Sequence, residues 1–416
     1  MEKLALFGGK KAIDTTPEYK WPIITPSDKD YLLKMIEENE ISYNFKSEEI
    51  DRLEMNFKKY LKMPYCLALN SGTSALYTAF IAIGISEGDE VIVPSYTFPA
   101  TVIPLIHMGA KIIFADSENN TPLISIEDVK KKVSKETKLI LVTHMDGFPV
   151  QVNLIRAWLK EHEYNALILE DCAQAIGAEV DGVKVGSLGD LAIFSFQQKK
   201  LLTGGEGGLL IIKNKEYYER AILLSYLQKR SFEEISDGRL QQYCYTGLGF
   251  NFRIHPLAAG MVNQQFSKMD KYADKRRQNM RMFEESFNSI PEVKLIGRIH
   301  ENTLPSYFSF KFLYVDEAVD ITKYVEALNA EGVPIVVSTT KPLHLEPIFS
   351  NFNSNKFSMD FLNKKLTSQF ADPLIYCETY SKKVLRLPAY YDLTKEQVIE
   401  FANAFRKVGK NKNSLK

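Results

Sequence analysis

The chain has 416 residues, 45% hydrophobic and 25% charged, and its 52 basic and 52 acidic side chains cancel to a formal charge of zero. That length predicts two or three domains of ~100–200 residues each, and charge so balanced and scattered excludes a polyanion-binding surface for nucleic acid or an anionic membrane. No apolar run reaches the ~18 residues of a membrane-spanning helix, and the opening MEKLALFGGKKAID is too briefly apolar for a secretion signal.

The four cysteines, Cys66, Cys172, Cys244 and Cys377, form no CxxC pair, and the six histidines form no HxH or HxxxH. Neither a zinc site nor a disulfide framework is expected, so the metal assignment is none and the compartment expected is the cytoplasm.

In chain order, the first informative segment is Asn70-Ser-Gly-Thr-Ser-Ala-Leu76, a small polar turn that opens into an apolar-periodic helix from Ser74 to Ile83. A helix start with free N–H groups and a glycine suits a phosphate, although a plain serine cap has the same look. Asp89–Pro94 reads as a strand and runs into Pro94-Ser-Tyr-Thr-Phe-Pro-Ala100, where Phe98 is either a ring-stacking aromatic or simply core. Further strands are expected at Lys111–Ala115, Lys138–Thr143, Ala166–Glu170, Leu191–Ser195 and Gly208–Ile212, with a helix from Val152 to His162. Continuous apolar runs of this kind predict strands covered by helices on both faces, hence an α/β domain with a largely parallel sheet.

Three strand ends carry polar chemistry. Glu170-Asp-Cys-Ala-Gln174 follows one strand, where a carboxylate is placed either to meet a buried cation or to cap a helix. Phe194-Ser-Phe-Gln-Gln-Lys-Lys-Leu-Leu-Thr-Gly-Gly-Glu-Gly-Gly208 sets two lysines between a strand and a Gly-rich loop. A Schiff-base lysine must lose its proton, by desolvation or neighbouring positive charge, whereas a lone Lys-Lys pair is ordinarily solvated surface. No GK[ST] follows the glycines, and a strand rather than a helix comes next, which excludes a P-loop and a dinucleotide fingerprint. The loop is too short for a helical crossover, so the last two strands are expected to pair antiparallel. Gly249-Phe-Asn-Phe-Arg253 says little by itself.

Beyond about residue 265 the texture changes to a charged helix (Met269 to Asn288), a strand at Phe308–Phe312, a polar stretch around Asn351 to Asn355 and a final helix opened by a capping box at Thr394. This reads as a smaller α+β domain with a disordered lysine-rich tail after Val408.

Separately each signal has a bland explanation; their order does not. NSGTSAL, GDEVIVPSYTFPAT, EDCAQAIGA, VGSLGDLAIFSFQQKKLLTGGEGG and GFNFR, taken together, resemble the sugar aminotransferases of the DegT/DnrJ/EryC1/StrS family, and the resemblance covers nearly the whole chain. It implies a fold-type-I enzyme dependent on pyridoxal 5'-phosphate. Residues 1–265 would form the large cofactor-binding domain with an N-terminal arm and a mainly parallel sheet of seven-stranded type, and residues 266–416 the small domain. The family spacing, five residues after the Ser of FSF and three before the Thr of the Gly-rich segment, picks Lys200 rather than Lys199 as the cofactor lysine. By the same matching Ser195, Gly72 and Thr73 bind the phosphate, and Phe98 stacks on the ring. Asp171 pairs with the pyridine nitrogen and Gln174 contacts the ring face or 3-hydroxyl. Asn251 reaches the phosphate of a neighbouring subunit, which implies a homodimer with shared sites.

The implied reaction moves an amino group from glutamine or glutamate to a nucleotide-linked keto-sugar or a keto-cyclitol. LALFGGKKAI and Lys341-Pro-Leu-His-Leu-Glu-Pro347 are similar to the keto-cyclitol (inosose) subgroup. One departure stands out, because the segment Thr143-His-Met-Asp-Gly147 usually carries an aromatic where Asp146 sits. The rival readings are a sugar dehydratase, which would replace the lysine at position 200, and a cofactor-binding regulator, which would need a DNA-binding segment.

Overall fold

A computed structural model describes residues 2–42, 47–226, 229–350 and 373–416. Seven strands build the central sheet: β1 (Tyr65–Leu69), β2 (Glu90–Pro94), β3 (Lys111–Ala115), β4 (Thr137–Thr143), β5 (Leu167–Asp171), β6 (Leu191–Ser195) and β7 (Gly208–Ile212). Their order across the sheet is β1-β7-β6-β5-β4-β2-β3. From β6 to β3 all neighbours are parallel, while β7 runs antiparallel to both β6 and β1. The antiparallel closure expected for the last two strands is present, with Leu191 opposite Ile212 and Ser195 opposite Gly208. The sequence reading missed β1, because Tyr-Cys-Leu-Ala-Leu contains no β-branched residue to mark a strand.

Strands β2, β6 and β7 are buried at every position, as continuous apolar runs between two helical layers must be. The direction of the strands fixes where function can sit. β1, β2, β4, β5 and β6 all point the same way, so their carboxyl ends emerge on one edge, and antiparallel β7 begins at that edge.

A second, antiparallel sheet has the order β8-β9-β11-β10, from β8 (Val293–Leu295), β9 (Ser309–Tyr314), β10 (Val336–Val337) and β11 (Val384–Pro388). Aromatic rings weld it to its helices. Phe283 of the helix Met269–Phe287 lies 5.0 Å from Phe310, and Phe405 of the helix Lys395–Lys410 lies 5.7 Å from Phe312. The N-terminal segment is tied to this part of the molecule, with Ala5 and Ala12 N–H donating to the Glu331 carboxylate at 2.7 and 2.8 Å.

The expectation of a disordered tail is corrected by the structure. The last helix continues to Lys410, and a 3-10 turn (Lys412–Leu415) follows with Leu415 buried. Lysine-rich composition reads as solvated, but here Lys412 meets Asp316 at 2.6 Å and Glu292 at 3.4 Å. The polar stretch around Asn351 to Asn355 lies outside the described residues.

Candidate active site

The turn after β1 is a true helix cap as well as a candidate anion cradle. Ser71 caps the helix Gly72–Ala82 by accepting from Ser74 N–H at 3.0 Å, and Ala75 N–H reaches the Ser71 carbonyl. Among the described residues nothing accepts from the N–H groups of Gly72 and Thr73, so the positive helix end is left open. Ser195 from β6 stands directly against this turn: a Cβ at Gly72 would come within 3.2 Å of the Ser195 Cβ. The loop 249–253 closes over it from outside, with Asn70 N–H donating to the Phe252 carbonyl at 2.7 Å.

Asp171 ends β5 and is buried. Its Oδ2 accepts from the Thr101 hydroxyl at 2.7 Å and its Oδ1 from Ala173 N–H at 3.0 Å. Burial pushes its carboxyl above the ordinary range, against those two hydrogen bonds and the charge of Lys200. Behind it, His144 Nε2 meets Glu170 Oε2 at 2.9 Å. The two Glu170 oxygens also accept Gly186 and Gly189 N–H, at 3.0 and 2.6 Å. Cys172 lies near this pair, but carboxylate oxygens already committed to backbone donors make the trio a strut for the loop rather than a metal site.

Lys199 is exposed, whereas Lys200 is half-buried with its Nζ 4.8 Å from the centre of the Phe308 ring. The loop that carries it is held throughout. Lys200 N–H donates to Gln197 O at 2.8 Å, Trp21 Nε1 donates to Lys200 O at 2.9 Å, and Gln265 Nε2 donates to Thr203 O at 2.7 Å. Burial pushes the Lys200 ammonium below the usual lysine range, although Asp171, Asp146 and Glu206 pull the other way.

These groups line one cavity of about 510 Å³. Of the residues expected from the sequence, Gly72, Thr73, Phe98, Asp171, Gln174, Ser195 and Lys200 are all on its wall, and Phe98 is 62% exposed there. Asn251 is not. It is exposed, bonded to Arg253 Nε at 2.9 Å, and lines a separate hollow with Arg253 and His255. The second sheet contributes a wall that sequence reasoning missed: Phe308, Lys311 of β9 and Arg386 of β11. The available signal was a single cation inside each of two apolar strands, FSFKFLY and VLRLP.

An open helix end beside a hydroxyl fits a phosphate. A lysine driven toward neutrality fits imine formation, and a buried carboxylate across the cavity fits a ring nitrogen that must stay protonated.

Comparison with known proteins agrees. Residues 23–406 match the DegT/DnrJ/EryC1/StrS aminotransferase family. The GDP-perosamine synthase of Vibrio cholerae is 28% identical over 94% of this chain and 98% of its own length. The L-glutamine:2-deoxy-scyllo-inosose aminotransferase of Streptomyces kanamyceticus is 27% identical over 83% and 82%. The aminotransferase structure from Psychrobacter cryohalolentis superposes with a TM-score of 0.82 at 23% identity, covering 95% of this chain and 99% of that one. The fold is that of fold-type-I pyridoxal-phosphate enzymes, and pyridoxal phosphate is the cofactor. This chain belongs to the DegT/DnrJ/EryC1/StrS aminotransferase family.

Proposed function

We propose that this aminotransferase takes the amino group of glutamine or glutamate and delivers it to a keto-sugar, nucleotide-linked or a free keto-cyclitol. The observation that carries the reading is the cavity itself, where Lys200, pushed toward its neutral form, shares a wall with buried Asp171 and the open helix end at Gly72 and Thr73. When bound, pyridoxal phosphate supplies an aldehyde that takes up the amino group and a ring that accepts negative charge.

The side chains then divide the work. Lys200 would hold the cofactor through its amine and, when that amine is free, would move the proton at the donor's α-carbon. Asp171, oriented by Thr101 and Ala173, keeps the ring nitrogen protonated. Gly72, Thr73 and Ser195 hold the phosphate, and Phe98 lies against the ring. Gln174 spends its Oε1 on Asp146 N–H at 2.9 Å and keeps its amide N–H groups for the 3-hydroxyl. Arg386 lines the cavity with no acidic partner among the described residues, which suits the donor's carboxylate. Asn251, turned away from its own cavity, serves the phosphate of a second subunit, so the working unit is a homodimer. Relatives that act on a cyclitol and on nucleotide-linked sugars support the acceptor class.

The test is spectroscopic and kinetic. Purified protein should carry the yellow cofactor-lysine chromophore, lose it on incubation with glutamine or glutamate, and regain it with a keto-sugar or keto-cyclitol, with ping-pong kinetics. Lys200→Ala should bind cofactor but not turn over; normal turnover in that variant would overthrow the assignment.

A further inference from the structure

Asp146 occupies a demanding position. It has a left-handed backbone (φ 57°), uncommon for a residue with a side chain and tolerated best by Asp and Asn. Two hydrogen bonds hold that backbone where the two sheets meet: Asp146 N–H donates to Gln174, and Phe308 N–H donates to the Asp146 carbonyl at 2.8 Å. Its carboxylate is buried, with only 3% of the residue exposed. Oδ1 receives Lys311 Nζ at 3.1 Å and the Ser309 hydroxyl at 3.3 Å. Oδ2 has no hydrogen-bond partner among the described residues.

The surrounding charges explain why an acid stands here. Lys311 and Arg386 are directly opposed across β9 and β11, and both line the cavity, so two cations face each other. Like charges in that arrangement repel. Asp146 reaches over from the turn that follows β4 and neutralises the fully buried one. Doing so needs only one carboxylate oxygen. The second is desolvated, on a residue that lines the cavity, and an unpaired buried acceptor is costly unless something donates to it.

We infer that Asp146 is a specificity-determining residue whose free oxygen accepts a hydrogen bond from a ring hydroxyl of the keto acceptor, with Lys311 holding the carboxylate in place. This rests on the aminotransferase reading above and deepens it: the acceptor is a polyhydroxylated ring, and it is read by a negative group. The donor amino acid is met by other groups, its amino group by the cofactor's aldehyde and its carboxylate by Arg386 across from Lys311. The contact therefore belongs to the second half-reaction. A site built to pair with a hydroxyl discriminates against an analogue that lacks it, and a hydrogen bond to a charged group corresponds to about 10- to 100-fold.

The experiment separates the two half-reactions. Holoenzyme, D146N and the charge-matched D146N/K311M are first converted to the pyridoxamine form with glutamine or glutamate. Each is then reoxidised with scyllo-inosose, with 2-deoxy-scyllo-inosose and with a UDP-linked 3-keto-N-acetylglucosamine. Reoxidation should fall about 10- to 100-fold further than the donor step in both variants. A turnover-independent check uses pyridoxamine-loaded K200A, whose calorimetric Kd for the reactive ring should weaken by about tenfold or more when D146N is added. If the wild type is reoxidised but both variants slow the two halves equally, or neither half, the assignment of Asp146 is overturned. If none of the three rings reoxidises the wild type while its donor step proceeds, it is the acceptor class that fails, and the inference falls with it.

Discussion

Lys200 and Asp171 meet the same low-dielectric cavity with opposite results, since burial lowers the lysine and raises the carboxyl, which draws both toward their neutral forms. For the lysine this has a direct kinetic consequence. Capture of pyridoxal phosphate by the apoprotein needs the unprotonated amine, so its rate should climb with pH and level off below the range where an exposed lysine titrates. A stopped-flow pH profile with its midpoint at the ordinary lysine value would show that the side chain is solvated instead. For Asp171, the proposed pairing with a cationic ring nitrogen would restore the charge. Asp171→Asn should therefore keep the fold and the Thr101 contact while turnover falls by about 10²-fold or more, measured as kcat on a variant whose cofactor content matches the wild type. A loss of cofactor with kcat per loaded site unchanged would reduce Asp171 to a binding role.

At the scale of elements, the site depends on how closely β7 approaches the turn after β1. A Cβ at Gly208 would fall 2.2 Å from the Ser71 carbonyl oxygen, so no side chain fits there without moving the turn. Gly208→Ala should cost about 1–3 kcal/mol in denaturant unfolding and weaken cofactor retention at the same time, because the displaced atoms belong to the proposed phosphate cradle. Ser71→Ala removes only a cap, about 1 kcal/mol, and should spare the glycine packing. These elements were legible in the chain because they are local: NSGTS is a cap and a turn, FSFQQKK is a strand running into a loop, and EDCAQ follows an apolar strand. The wall made by Lys311 and Arg386 was not legible. Each lies alone in an apolar strand more than a hundred residues from Lys200, and only the register Lys311 opposite Arg386 makes them a pair. Lysine 412 was misread for the same reason, since its acid partners come from distant segments.

For the whole molecule, the position of Asn251 bears on assembly. It is exposed and outside its own cavity, so its proposed partner is the phosphate of another subunit. Mixing Lys200→Ala with Asn251→Ala protein under subunit exchange should restore about a quarter of wild-type activity, because half of randomly formed dimers would hold one intact site of two. No recovery, with exchange shown independently, would mean that each site is complete within one chain. A buried ion pair governs the platform beneath the cradle. Arg230 meets both Glu54 oxygens at 3.0 Å, and Glu54 also accepts Ala68 N–H of β1 at 2.9 Å. Glu54→Ala should cost about 3–5 kcal/mol in chemical denaturation, since it strands a buried guanidinium. A loss within the range of surface substitutions would mean that Glu234, paired with Arg230 Nε at 2.8 Å, compensates.

What the sequence determined by itself was the parallel α/β sheet, the capped turn after β1, the strand-to-loop run that carries Lys200 and the acid that ends β5. Apolar periodicity, capping chemistry and motif spacing are properties of contiguous residues, and they survive in one dimension. What only the tertiary structure decided was the neutralising contact of Asp146 with Lys311, the cation that Arg386 brings to the cavity wall and the ordered C-terminus. Each is a balance of charge and burial between segments far apart in the chain, and such a balance exists only once the two sheets have met.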